Sequence, residues 1–106
     1  MMNMGNMSKM MKQVQKMQAD MAKLEEELAT RTVEATAGGG LVRAVANGRQ
    51  EIMALEIKPE AVDPEDVETL NDLVLAAVNS ALSEARKMAS GEMSRLTGGM
   101  NIPGLF

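Results

Sequence analysis

The chain has 106 residues, with twelve Met, one Phe and neither Trp nor Tyr, so Leu, Val, Met and Ala must fill any core. It carries neither Cys nor His, which excludes a disulfide framework and thiol chemistry and removes the usual metal ligand and general base. The net charge of −4 is unevenly divided: +3 over residues 1–24, −9 over residues 25–84 and +2 over residues 85–106. Such asymmetry points to a localised anion-binding surface.

Met1 to Met11 is broken by Asn3, Asn6, Ser8 and Lys9, so it forms no signal-peptide core. No stretch approaches the ~20 apolar residues of a membrane span. The expectation is a cytoplasmic protein without a membrane partner. The first element is a helix over residues 7–29. Met7, Met10, Val14, Met17, Met21, Leu24 and Leu28 follow an unbroken 3-4 spacing, the a/d seam of three heptads. With the seam at a and d, Lys9, Lys16 and Lys23 occupy c and Lys12 occupies f, so all four line the opposite face.

A β section follows. Thr32 to Ala37 alternates polar with small apolar residues, the period of a strand. Gly38, Gly39 and Gly40 interrupt it, and Leu41 to Ala46 is the second strand. Asn47-Gly48 is a strong hairpin signal, and Gln50 to Ile57 is the third strand, ended by Pro59. A two-residue turn places Val42, Ala44, Met53 and Leu55 on one face. Leu41, Val45, Ile52 and Ala54 share the other with Arg43, Gln50 and Glu56. Neither face is cleanly polar, so a partner subunit is expected to cover the second. Together with the seam positions Met10, Val14 and Met17, this gives Leu41, Val45 and Ile52 as the expected dimer contact.

The last helix is expected from Pro64, capped by Asp63, with Glu65, Asp66 and Glu68 at the positive end of its dipole. Leu70, Val74, Ala77, Ala81, Ala85 and Met88 keep helical spacing, and Arg86 and Lys87 lie near its end. Residues 1–90 are thus expected as one domain, with a flexible Gly- and Pro-containing tail over 91–106. The class is α+β, in the order α-β-β-β-α, with a three-stranded antiparallel sheet and two long helices.

Four stretches together resemble the YbaB/EbfC family of nucleoid-associated DNA-binding proteins. They are Met11-Lys12-Gln13-Val14-Gln15-Lys16-Met17-Gln18, Gly40-Leu41-Val42-Arg43, Asn47-Gly48 with Leu55-Glu56-Ile57, and Leu73-Val74-x-Ala76-Ala77-x-Asn79. The ending Gly98-Gly99-Met100-Asn101-Ile102-Pro103-Gly104 is similar too. The resemblance implies a homodimer with projecting helical arms that binds duplex DNA in the nucleoid and has no catalytic site. Gly39, Ala44 and Ala46 make this sheet smaller in side chain than the resemblance leads one to expect.

The lysine stripe Lys9, Lys12, Lys16 and Lys23 is the leading DNA-binding candidate, because a basic row on a rigid helix can track phosphates. Arg86 and Lys87 are the second, although they also suit the negative end of their helix. Sequence readout is expected to be weak, since no helix-turn-helix or aromatic reading element is present. The acidic cluster Glu60, Asp63, Glu65, Asp66, Glu68 and Asp72 does not match a calcium loop. Gly38-Gly39-Gly40 precedes a strand and lacks the Lys-Ser/Thr ending of a phosphate loop. No metal, cofactor, small-molecule substrate or enzymatic activity is therefore expected. The competing reading is a Met-rich interaction protein or holdase that binds apolar segments. That reading requires Met10 and Met17 at the surface and binding insensitive to salt.

Overall fold

A computed structural model describes residues 4–98, with element order α1 (Met4–Thr30), β1 (Thr32–Ala37), β2 (Val42–Asn47), β3 (Ile52–Ile57), a 3-10 turn (Pro59–Ala61) and α2 (Val67–Gly98). The three strands form one antiparallel sheet in the order β1-β2-β3. The expected α-β-β-β-α layout is therefore observed.

The sheet carries α2 on one face. Val42, Ala44 and Ala46 of β2 are fully buried against Ala77, Ala81 and Ala85 of α2. The small side chains of the strand meet equally small ones on the helix, so the two backbones approach closely and leave no gap to fill. Leu70, Leu73, Val74, Val78 and Leu82 close the flanks of this contact. The helix covers β1 and β2 and barely reaches β3.

Three local outcomes differ from the sequence expectations. The Asn47-Gly48 pair does not form a two-residue hairpin turn. Ala44 pairs with Leu55 and Arg43 with Glu56, so the loop is longer, and a bulge follows between Val45 and Ala46. The left-handed residue is Gln50, at φ 62°, and not Gly48. The register moves by an even number of residues, so Val42, Ala44, Met53 and Leu55 still share one face.

Gly48 serves a different purpose. Its N–H donates to the carbonyls of Leu28 and Arg31 at 2.8 and 3.1 Å, and a Cβ there would lie 2.8 Å from the Leu28 carbonyl oxygen. Asn47 is buried and donates through Nδ2 to the Ala29 carbonyl, while its Oδ1 accepts from the N–H groups of Arg49 and Glu51. The pair therefore caps the carbonyl end of α1, whose last turn would otherwise leave acceptors unpaired.

At the other helix, Asp63 accepts from Glu65 N–H in a turn, and the cap is Asp66. Asp66 accepts from Thr69 N–H at 3.3 Å and from Thr69 Oγ1 at 2.6 Å. The helix also continues through Gly91 to Gly98, where the sequence suggests a tail. Those two extra turns carry Glu92, Arg95 and Leu96 to the side of α1. The remainder of the expected tail, residues 99–106, lies outside the described residues.

Candidate nucleic-acid interface

The first half of α1 stands away from the body, in a chain 76 Å long but only 24 by 16 Å across. Its base is anchored: Leu24 and Leu28 are buried, and Asp20, Lys23, Leu24 and Glu27 line a notch with Glu92, Arg95 and Leu96 of α2. Glu92 holds this junction. It pairs with Arg31 Nη1 at 2.7 Å and with Arg95 Nη1 at 3.1 Å. The hydrogen bond from Arg31, reinforced by the charges of Arg31 and Arg95, keeps the Glu92 carboxyl below its ordinary range.

From Asp20 to Met4 the helix runs ~24 Å further at 1.5 Å per residue. Lys9, Lys12, Lys16 and Lys23 are all exposed, within an arc of about 60° at 100° per residue. None of the four forms an ion pair among the described residues. Asp20 lies about 20° beyond the edge of this arc and between Lys16 and Lys23 along the axis, so the uninterrupted run of cations is Lys9, Lys12 and Lys16. The apolar seam occupies the opposite side.

The second expected cationic pair is elsewhere. Arg86 and Lys87 are exposed on α2, but Lys87 lies eight residues and ~12 Å along the helix from Arg95, over the sheet. Its Nζ is 3.4 Å from Glu84. The structure therefore does not bring Arg86 and Lys87 to the lysine row. It brings Arg95 instead, 78% exposed beside Lys23. The helix continuing past Gly91 is the signal for Arg95, and the glycine concealed it in the sequence.

Arg43 is already engaged. On the sheet face away from α2 its Nε donates to Glu34 at 2.6 Å, and its Nη1 pairs with Glu56 at 3.1 Å across the neighbouring strand. The hydrogen bond to Glu34, with the charges of both glutamates, holds the guanidinium above its ordinary value despite partial desolvation. Two carboxylates on one arginine leave that face acidic.

Of the residues expected at a dimer contact, Leu41 and Val45 are half-buried and Ile52 is 39% exposed. The larger bare apolar area lies on the α2 side of β3, at Met53, Leu55 and Ile57. On the arm, Met10 and Val14 are exposed at 58% and 55%, and Met17 is half-buried.

A model of the YbaB/EbfC DNA-binding family matches residues 4–100. The chain belongs to this family. A nucleoid-associated protein of Pelotomaculum thermopropionicum is 71% identical over 102 residues, covering 96% of this chain and 97% of the relative. Another, from Desulforamulus reducens, is 67% identical with the same coverage. An uncharacterized protein of Helicobacter pylori, known as a crystal structure, superposes with a TM-score of 0.58 at 24% identity. The match covers 83% of this chain and 95% of that one, and it concerns the fold alone. No helix among the described residues is long and apolar enough to cross a membrane.

Proposed function

We propose that this YbaB/EbfC protein is a nucleoid-associated homodimer that holds duplex DNA by phosphate contacts, with weak sequence readout. The observation that carries the proposal is the exposed row Lys9, Lys12 and Lys16 on a projecting helix, free of ion pairs among the described residues. Duplex DNA carries about one charge per 1.7 Å, so a rigid cationic row meets several phosphates at once. Phosphate contacts fix position without reading bases. The row is made of lysines, whose ammonium groups are compact point charges on flexible stems and lack the rigid planar fork of arginine.

The dimer is supported by β3, an edge strand whose six residues are all exposed. An unpaired apolar edge is a template for association unless something covers it. A two-fold partner that buries Met53, Leu55 and Ile57 would complete the half of the core that α2 leaves open, with Ile52 at its border. Nucleoid association follows from the names of the relatives.

Replacing Lys9, Lys12 and Lys16 together by Glu is expected to abolish duplex binding in an anisotropy titration. Helicity and oligomeric mass should stay unchanged. Unchanged affinity refutes the lysine row as the DNA surface. Replacing Leu55 by Glu is expected to dissociate the protein at low concentration in low salt, read by light scattering, and a dimer of undiminished stability there removes β3 from the contact. The exposure of Met10 also favours the holdase reading in part, although Met17 does not share it. That reading requires retention of an unfolded client at a salt concentration that releases DNA.

A further inference from the structure

The seam of α1 is one continuous row with two different fates. Its lower part is buried, Leu24 beside Leu96 of α2 and Leu28 against Gly48 at the end of β2. Its upper part runs on past the last described turn of α2 as Met7, Met10, Val14 and Met17. There, with Met11 and Gln18 beside it, it leaves a shallow apolar groove along the helix open to solvent. Among the described residues nothing packs on that groove.

This groove is separate from the bare β3. Val14 lies fourteen residues, ~21 Å, along the helix from Leu28, where α1 reaches the sheet. The chain therefore shows two apolar surfaces at a distance, and a two-fold contact through β3 uses only one; Met10, Val14 and Met17, grouped from the sequence with Leu41, Val45 and Ile52 in one dimer contact, belong here to a second. We propose that the arm seam docks a second copy of itself, antiparallel, and so joins one dimer to the next.

Three observations choose a second copy as the occupant. First, the seam is continuous with a helix–helix contact already present in the fold, and its 3-4 spacing accepts knobs from another straight helix. Second, the flanking e and g positions on the free part are Asn6, Met11, Gln13 and Gln18, all uncharged. Two copies can therefore meet without setting like charges across the seam, which e and g residues usually govern. Third, the lysines sit on the opposite side, so they stay open to phosphate while the seam is occupied. Pairing Met7 with Met17 and Met10 with Val14 keeps every a residue opposite a d residue and stays within the free part. Two different two-fold contacts on one chain generate either a closed tetramer or an open row of dimers.

The valency rests on the β3 dimer proposed above, whereas the arm contact is independent of DNA. Its chemistry also gives it the opposite salt response. Salt screens the lysines that repel one arm from another and leaves apolar burial intact, yet it weakens phosphate binding.

The test uses sedimentation velocity on the full chain without DNA, over a concentration and salt series. The parent protein is expected to form species heavier than the dimer, and more of them as salt rises. Replacing Met10 and Val14 together by Gln keeps charge and helix propensity and removes the apolar seam. This variant should remain dimeric, and its affinity for a short duplex should stay within about twofold of the parent. Replacing both by Leu should move assembly to lower concentration. The proposal is overturned if the parent never exceeds the dimer, or if the Gln variant assembles as the parent does. It is also overturned if the Gln variant loses short-duplex binding, since the seam would then belong to the DNA site. In the Leu55→Glu protein only the arm contact remains, so it should self-associate weakly and become monomeric when Met10 and Val14 are also replaced by Gln. A dimer that survives all three changes shows failure at β3, and a Leu55→Glu protein that is monomeric throughout the series shows failure at the arm.

Discussion

The lysine row can be tested one residue at a time through the salt dependence of binding. If the proposed dimer presents Lys9, Lys12 and Lys16 on each of two arms, it neutralises about six phosphates. The slope of log K against log salt should then be about −5.4, at −0.9 per phosphate on B-form DNA. Affinity should fall roughly 2,000-fold between 50 and 200 mM salt. Replacing Lys12 by Gln removes one cation per arm and leaves the helix, the seam and the β3 edge untouched. The slope should drop to about −3.6, and the loss over the same range to roughly 150-fold. The measurement is fluorescence anisotropy with a labelled short duplex at several salt concentrations, with two unrelated sequences to show that both respond alike. Replacing Arg86 and Lys87 by Gln is the control. They lie ~12 Å along α2 from Arg95, with Lys87 beside Glu84, and the slope should stay close to the parent value. A slope that responds to the Arg86 and Lys87 changes but not to the Lys12 change refutes the arm as the DNA surface.

Two further perturbations address the base of the arm. Gly48→Ala drives a Cβ to within 2.8 Å of the Leu28 carbonyl. It should cost about 1–3 kcal/mol, the usual scale for overpacking, seen as a lower denaturant midpoint; an unchanged midpoint means that the cap is dispensable. Glu92→Gln tests the junction by pH. The Glu92 carboxyl is held below its ordinary value by Arg31 and Arg95, so the unfolded chain binds its proton first as pH falls. The stabilisation is complete above about pH 5, beyond the unfolded range near 4.3, and disappears as pH drops through the lowered folded value. The parent should therefore be more stable than the variant at neutral pH, and the two should converge in acid. A gap that persists in acid shows that Glu92 contributes by something other than charge.

The elements were legible because hydrophobic period is a local property. The 3-4 row of Met and Leu and the two-residue alternation of Thr32 to Ala37 each needed only neighbours in sequence. The misplaced boundaries all depend on distant partners. Asn47-Gly48 carries a strong hairpin signal, but Gly48 is required because α1 ends against it. Asp63 and Asp66 are both good caps, and the Thr69 hydroxyl decides between them. Gly91 marks a plausible helix end, yet the helix continues where Glu92 finds Arg31. The lysine row could be placed on one helix face from spacing alone. Arg95 beside it could not, since only the antiparallel packing of α2 on α1 sets those residues level. The pairing of Arg43 was hidden for the same reason, because its two glutamates sit on neighbouring strands.

The division of charge along the chain now has a spatial counterpart. The acidic residues belong mainly to the sheet, to its loops and to the start of α2. On the sheet face away from α2, Glu34 and Glu56 neutralise the arginine between them. The lysines instead ride on a helix whose free part has no carboxylate before Asp20. Screening at physiological salt has a length of about 8 Å, much less than the ~24 Å over which the arm extends beyond Asp20. A phosphate at Lys9 or Lys12 therefore experiences the local cations far more than the distant acidic body. The same body should repel a duplex that approaches the sheet, and so confine it to the arms. Net charge is thus a poor guide to this protein: on the proposed reading, its anionic majority and its cationic row would act on DNA at different distances and in opposite directions.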